Sequence, residues 1–253
     1  GEAERPNIEE GAIFRPPMLA NPLEQPDIEK LNPADYRAEW KWDGIRVQLA
    51  ARQTSDGLIT RLYSRTGDDI SHTFPDIIEA VDYEVVLDGE LLVFRDGSVA
   101  SFNDLQQRLN RKNVTGKMLG EAPAHIRVYD LLYEGREDLR ELPFDKRRAR
   151  LENWYAATKP GRMDLSTLVE FESWEELGEI RATSRDAPDS LVEGLMLKHK
   201  DSTYVAGRPK GPWFKWKRDA LTLDCVLMYA QRGHGKRSSF YSDYTFGAWR
   251  PAA

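Results

Sequence analysis

Residues 39–46 of the 253-residue chain read Glu-Trp-Lys-Trp-Asp-Gly-Ile-Arg. Residues 36–42 and 45–51 alternate between apolar and polar side chains, which predicts two strands joined at Asp43-Gly44, a dipeptide typical of tight turns. Lys41 is therefore expected at the end of one strand and Arg46 on the next. A lysine in a hairpin is most often a solvated side chain, so its role has to be judged from the rest of the chain.

The composition is that of an ordinary globular protein, with 40% hydrophobic and 31% charged residues. No apolar run approaches the roughly 20 residues of a membrane helix, and the first residues lack the basic and apolar regions of a signal peptide. The one cysteine, Cys225, excludes an intramolecular disulfide and lies in an apolar run that predicts a buried core thiol. These features fit a reducing, cytoplasmic setting.

The net charge of −6 argues mildly against a nucleic-acid partner. The charge is clustered, however, because residues 193–219 hold seven lysines and arginines against three acidic residues. Acidic runs lie elsewhere, at residues 134–141 and 170–179. A basic cleft on an acidic body is therefore compatible with the sequence.

Strands separated by short turns and irregularly placed helices favour an α+β fold with antiparallel sheets. Strands are predicted at residues 36–42, 45–51, 58–64, 126–133, 168–171, 195–198 and 213–217, with strand, turn and strand at 83–94. Helices are predicted at residues 74–81 and 144–155 and from residues 101 and 173, with exposed loops at 111–124 and 183–190. The predicted domains are an extended lead-in over 1–34, a main domain over 35–219 and a strand-rich segment over 220–253, with Gly233 and Gly235 in a turn.

Five further motifs follow residues 39–46 along the chain. They are residues 63–67 (Tyr-Ser-Arg-Thr-Gly), 87–91 (Leu-Asp-Gly-Glu-Leu), 128–132 (Val-Tyr-Asp-Leu-Leu), 193–198 (Glu-Gly-Leu-Met-Leu-Lys) and 213–217 (Trp-Phe-Lys-Trp-Lys). The six motifs in this order resemble those of the covalent nucleotidyltransferases, which comprise the DNA ligases, the RNA ligases and the mRNA capping enzymes. The second and third motifs and the ending at 213–217 look most like the ATP-dependent DNA ligases.

The resemblance implies an antiparallel-sheet nucleotidyltransferase (ATP-grasp-like) adenylation domain, followed by an incomplete OB-fold segment. It implies a ligase of DNA repair, replication and recombination, in which Lys41 takes AMP from ATP and passes it to the 5′-phosphate of a nick in double-stranded DNA. Catalytic roles are implied for Lys41, Lys215 and Lys217. The implied nucleotide-binding residues are Glu39, Arg46, Arg65, Glu90, Tyr129, Glu193 and Lys198, together with Lys215 and Lys217. Tyr129 stands where the family often has phenylalanine, and either ring can stack on adenine.

The chemistry requires these residue types. An amine that attacks a phosphate must be unprotonated, and neighbouring cations such as Lys215 and Lys217 would favour that form of Lys41. The same cations can neutralise phosphate oxygens. Mg²⁺, or Mn²⁺ in its place, prefers a few carboxylates with phosphate oxygens and water, for which Glu90 and Glu193 are the candidates.

Several alternatives stay open. An RNA ligase or a capping-type nucleotidyltransferase shares the lysine chemistry, whereas an NAD-dependent ligase needs an N-terminal module for which we expect residues 1–34 to be too short. A non-catalytic nucleotide- or DNA-binding module would bind ATP without forming a covalent adduct. We expect a monomer with no membrane partner. Because the OB-fold segment is incomplete, we expect this chain to seal nicks weakly.

Overall fold

The computed structural model describes residues 12–109, 111, 114–183, 192–218, 224–233 and 239–249. The chain divides into two compact units, residues 1–218 and residues 219–253. Among the described residues, no helix combines the length and the apolar character needed to cross a membrane.

The first unit is built on two sheets. The first sheet has the strand order β4-β3-β5-β7-β8, with β6 beside β5 and β9 parallel to β7. Its strands are β3 (Ile45–Thr54), β4 (Gly57–Ser64), β5 (Val85–Arg95), β6 (Ser98–Val99), β7 (Ala124–Glu134), β8 (Glu137–Asp138) and β9 (Met163–Leu165). The second sheet has the order β1-β12-β11-β2-β10. Its strands are β1 (Asn21–Pro22), β2 (Tyr36–Trp42), β10 (Leu168–Val169), β11 (Val192–His199) and β12 (Trp213–Lys217).

Six α-helices and two 3₁₀ helices, Pro33–Asp35 and Ser71–Thr73, accompany these sheets in the described part of the first unit. The α-helices are α1 (Gln25–Ile28), α2 (Pro75–Ile78), α3 (Phe102–Leu109), α4 (Gly116–Glu121), α5 (Phe144–Thr158) and α6 (Trp174–Thr183). The largest apolar cluster packs the first sheet against α2, α3 and α5, through residues such as Phe74, Leu105 and Leu151. A second cluster packs Leu177 of α6 against the second sheet. Each sheet therefore has a core of its own, and a third, smaller apolar cluster contains residues of both sheets, among them Leu132 of β7 and Trp213 of β12.

The predicted α+β class with antiparallel sheets is confirmed, but several elements differ from their predictions. The segment predicted at 83–94 as two strands and a turn contains one continuous strand, β5, which begins at Val85. A Cβ on Gly89 would lie 2.5 Å from Ile126 Cγ2, so this glycine allows β7 to approach closely and does not make a turn. The predicted loop at 111–124 contains α4, which begins where Thr115 Oγ1 accepts a hydrogen bond from the Met118 backbone N–H at 3.4 Å.

Two more predicted elements are shorter than expected. The helix predicted at 74–81 is the single turn α2, and the strand predicted at 168–171 is the two-residue β10. Residues 184–190 of the predicted loop, and Gly235 of the predicted turn, lie outside the described residues.

The second unit contains an antiparallel hairpin of β13 (Cys225–Arg232) and β14 (Tyr241–Ala248). Cys225 is exposed, so the prediction of a buried core thiol is wrong. An apolar run predicts burial only where a second layer covers the strand, and most side chains of this two-stranded sheet are exposed within the described residues. The assignment of residues 220–253 to an OB fold stays a prediction.

Candidate active site

The register of the second sheet brings Lys41 and Lys217 to the same level. Gly194 of β11 pairs with Lys41 of β2 on one side and with Lys217 of β12 on the other. Gly194 has φ +138°, and a Cβ there would lie 2.2 Å from the Trp216 carbonyl oxygen. Only glycine fits at this position, and it lets the end of β12, which carries Lys217, approach β11 closely.

Glu193, next to this glycine, connects the two lysines. Its Oε2 lies 2.5 Å from Lys41 Nζ and 3.3 Å from Lys217 Nζ. Burial raises the pKa of Glu193, but the hydrogen bond and charge of Lys41 and the charge of Lys217 outweigh it, so that the pKa lies below its ordinary value. The nearest partner of Lys41 is thus a carboxylate and not the cations expected from the sequence.

Two further carboxyl groups approach Glu193. Burial, and then the charge of Glu193, raise the pKa of Asp43. Glu90 lies on β5 between Arg46 of β3 and Arg127 of β7, and burial raises its pKa to about 7 despite the opposing charges of Lys41 and Arg46. Glu90 is half-buried and lines the same cleft as Glu193. In the described part of the chain, no three His, Cys, Asp or Glu side chains are arranged to hold a metal by themselves.

One end of the cleft, which we call the outer end, is lined by Arg65, Arg208 and Lys215. Burial, then the charges of Arg208, Lys217, Lys41 and Arg65, lower the pKa of Lys215. Within the described residues, none of the three outer-end side chains forms a hydrogen bond or an ion pair with a carboxylate. Such a group of uncompensated cations is suited to an anion.

The inner end of the cleft, lined by Glu39, Tyr129 and Lys198, is buried. Lys198 Nζ lies 2.7 Å from Glu39 Oε2 and 4.5 Å from the centre of the Tyr129 ring. The rings of Phe144 and Trp213 lie 4.9 and 4.8 Å from the same nitrogen. The second oxygen of Glu39, Oε1, accepts a hydrogen bond from Arg148 Nη1 of α5 at 3.2 Å.

Arg46 lies beside the cleft in a fixed position. Its Nη1 donates to the Met18 carbonyl at 2.6 Å, and its Nη2 donates to Asp88 Oδ2 at 2.7 Å and to the Tyr204 hydroxyl at 3.2 Å. Asp88 is buried and also accepts from Gln48 and Tyr204. Asp88 thus has a structural role, because it holds Arg46 in place.

All ten residues predicted for the site line one cleft of about 460 Å³. Sequence reasoning missed Arg148 and Tyr204, and it counted Arg208 only as part of the basic cluster. The clustered charge at 193–219 was a usable signal for Arg208. No signal pointed to Arg148, because a charged residue on an amphipathic helix is usually a solvated one.

Two mainly antiparallel sheets thus line one cleft, with Lys41 near the end of a strand inside it. Residues 17–217 match the family described as the ATP dependent DNA ligase domain. The chain therefore belongs to the ATP-dependent DNA ligase domain family.

Individual relatives agree with this assignment. A probable DNA ligase of Koribacter versatilis is 36% identical over 250 residues, which covers 90% of this chain and 43% of that protein. A probable DNA ligase of Opitutus terrae is 38% identical over 236 residues, covering 82% of this chain and 23% of that protein. The chain thus spans less than half the length of these relatives.

Solved structures give the same fold. The ligase domain of M. tuberculosis LigD superposes with a TM-score of 0.60 at 28% identity, over 80% of this chain and 60% of that one. A mycobacterial DNA ligase D complexed with ATP and MES gives a TM-score of 0.62 at 25% identity, over 92% of this chain and 67% of that one.

Proposed function

We propose that this chain carries out the nucleotidyl transfer of an ATP-dependent DNA ligase, with Lys41 as the nucleophile. The observation that carries the proposal is the position of Lys41 Nζ. It lies in a cleft between a buried inner end with an aromatic ring and an outer end with uncompensated cations. Adenine fits the first environment and a triphosphate fits the second.

In the first step, the lone pair of Lys41 Nζ forms a bond to the α-phosphorus of ATP. The bond between that phosphorus and the bridging oxygen breaks, and pyrophosphate leaves with the electron pair. Lys41 must lose a proton for this attack, and Glu193 Oε2, at 2.5 Å, is the acceptor in contact with it. The product is a lysine–AMP phosphoramidate, which divides one difficult reaction into easier ones.

In the second step, an oxygen of the 5′-phosphate at a DNA nick attacks the same phosphorus, and Lys41 leaves as the amine. In the third step, the 3′-hydroxyl attacks the activated 5′-phosphate, so that the nick is sealed and AMP is released. Lys215 and Lys217 stand where they neutralise phosphate oxygens, and Arg46 and Arg65 are assigned to ribose or phosphate. Tyr129 stacks on adenine, Glu39 accepts from its amino group, and Lys198 borders the base.

Glu90 and Glu193 would hold Mg²⁺ or Mn²⁺, which would neutralise phosphate charge. The donor set fits, because Mg²⁺ usually takes one or two carboxylates and completes its shell with phosphate oxygens and water. The raised pKa of Glu90 supports this assignment, since it marks a carboxyl group that lacks sufficient positive charge around it.

We assign residues 1–34 to a lead-in, residues 35–219 to the adenylation domain and residues 220–253 to part of an OB fold. The proposed partner is nicked double-stranded DNA, contacted mainly through its phosphates. We propose that the protein acts as a monomer.

The direct test is the intact mass of the protein before and after incubation with ATP and Mg²⁺. We expect the parent to gain one AMP and Lys41→Ala to gain none. Lys200→Ala is the matched control, because Lys200 pairs with Asp35 at 2.8 Å and does not line the cleft. An adduct on Lys41→Ala, or none on the parent, contradicts the proposal. Incubation with GTP separates a ligase from a capping-type enzyme.

The acceptor is tested with protein that already carries labelled AMP. We expect transfer of the label to the 5′-phosphate of a nicked DNA duplex. Transfer to nicked RNA with none to DNA would instead indicate an RNA ligase.

A further inference from the structure

Helix α5 contacts both walls of the cleft through two adjacent residues. Arg147 Nε and Nη2 donate to the two oxygens of Asp130, at 2.9 and 3.0 Å, next to Tyr129 on β7 of the first sheet. Arg148 Nη1 donates to Glu39 Oε1 on β2 of the second sheet. One helix thus contacts Asp130, the neighbour of Tyr129, on one side of the inner end and the Glu39 carboxylate on the other.

The two carboxylate oxygens of Glu39 differ in their hydrogen-bond partners. Oε1 is occupied by Arg148. Oε2 forms an ion pair with Lys198 Nζ at 2.7 Å, and this buried oxygen accepts no regular hydrogen bond from the described residues. Glu39 therefore keeps, beside its ion pair with Lys198, an oxygen that can accept a hydrogen bond from a ligand at a cleft-lining position.

Such a carboxylate oxygen distinguishes the two purine bases. A carboxylate only accepts hydrogen bonds. Adenine carries an amino group at the position where guanine carries a carbonyl oxygen. A buried acceptor therefore favours adenine and repels guanine, and sites built to bond one polar group reject the analogue that lacks it.

We propose that Arg148 is a positioning residue that sets this preference for adenine. The inference rests on the proposed function, because it assumes that the inner end holds the base. Arg148 divides its guanidinium between Glu39 and Glu152, with Nε donating to Glu152 Oε1 at 2.7 Å. It therefore holds the Glu39 carboxylate from the helix side, with Oε2 in an ion pair but in no regular hydrogen bond with Lys198.

Without Arg148, Lys198 is the one cationic partner that Glu39 keeps within the described part of the chain. The carboxylate is then free to rotate into a regular hydrogen bond with Lys198 Nζ, which occupies the acceptor that adenine needs. The loss affects recognition of the base and leaves Lys41, Glu193 and the outer-end cations in place.

The test compares Arg148→Met with the parent in Lys41 adenylation, using ATP, GTP and the triphosphate of purine riboside, which lacks the amino group. We expect the preference for ATP over both competitors to fall about 10- to 100-fold, the usual range for a lost hydrogen bond to a charged group. The change should appear in KM for ATP, with kcat near that of the parent. Arg148→Lys should restore part of the preference, because it keeps a cation within reach of Glu39.

Glu152→Gln is the matched control. Glu152 is half-exposed and touches the site only through Arg148, so we expect its ATP preference to equal that of the parent. A purely structural role for Arg148 would lower the rates with all three nucleotides equally, and an unchanged ratio in Arg148→Met would overturn the proposal. Arg148→Lys decides the same question should the methionine variant fail to fold. Failure of the proposed function is distinguishable, because the parent itself would then form no adduct.

Discussion

The two ends of the cleft are organised differently. At the inner end, Glu39 and Lys198 are each 2% exposed in their side chains and lie 2.7 Å apart, and Arg148 binds the same carboxylate. At the outer end, the side chains of Arg65 and Arg208 are exposed, and within the described residues neither has a carboxylate partner. The inner end is ordered by the protein alone, whereas the outer end depends on an anionic ligand for its opposite charge.

Solvent accounts for this difference. A charge removed from water is tolerated only when partners compensate it, so every ion at the inner end has one. An exposed cation remains hydrated and costs little. The outer end can therefore keep its cations unpaired until phosphate groups replace the water around them.

The largest effect is expected from breaking the pair behind the inner end. Arg147→Met leaves the Asp130 carboxylate, which is fully buried, without its cation. We expect the free energy of unfolding to fall by about 3–5 kcal/mol, measured by urea denaturation. The matched control is Arg150→Met, because Arg150 lies on the same helix but pairs with Glu134 and Glu137 at the surface, where we expect about 1 kcal/mol or less. Equal losses in the two variants would show that the inner end is no more dependent on its ion pairs than the surface.

A smaller change in stability is expected on substitution of Glu90, which lines the cleft. Burial raises its pKa to about 7 in the folded protein, above the value of an unfolded glutamate, so the folded state binds the proton more tightly. The folded state therefore loses stability as the pH rises from about 4.5 to about 7. Glu90→Gln resembles the protonated form at every pH, so we expect it to match the parent near pH 5 and to be more stable near pH 8, by on the order of 1–2 kcal/mol after allowance for solvent screening.

Thermal unfolding at these two pH values measures the difference. Glu137→Gln is the control, because Arg150 holds the pKa of Glu137 below its ordinary value, so that its difference from the parent should not change between pH 5 and pH 8. A stability gain of Glu90→Gln that is independent of pH would argue against an uncompensated carboxyl group in the cleft.

The same comparison explains what could be predicted from the sequence. The cleft residues Lys41, Glu193 and Lys217 lie in short motifs at strand ends, and the spacing within each motif fixes which side chains share a face. The order of the motifs along the chain is enough to predict that these residues belong to one site. Their mutual contacts, such as the one between Lys41 and Glu193, depend on strand register and were not predictable.

The residues that support the inner end from behind, Arg147 and Arg148, could not be identified from motifs in the sequence. Arg148 meets Glu39 across 109 residues of sequence and Arg147 meets Asp130 across 17, and nothing in a charged helical pattern tells which arginine turns inward. Gly89 shows the same limit, since an aspartate–glycine pair suits a turn as well as a close approach between strands. Only the position of Ile126 decides between the two.

The smallest effect, a modest loss of ATP affinity, is expected at the outer end. It tests whether the outer end is less ordered by protein contacts than the inner end. Arg208→Gln removes one exposed cation of the three, so we expect ATP to bind about 2- to 5-fold more weakly at low ionic strength. Exposed charges are screened by salt, so this loss should shrink between about 0.05 M and about 0.5 M NaCl. Arg148→Met should instead weaken ATP binding by the same factor at both salt concentrations, because Glu39, the partner that Arg148 holds at the site, is buried. Titration of ATP in the presence of EDTA measures binding without turnover. If the loss in Arg208→Gln persists at high salt, the outer end is as well ordered as the inner end, and the distinction between them does not hold.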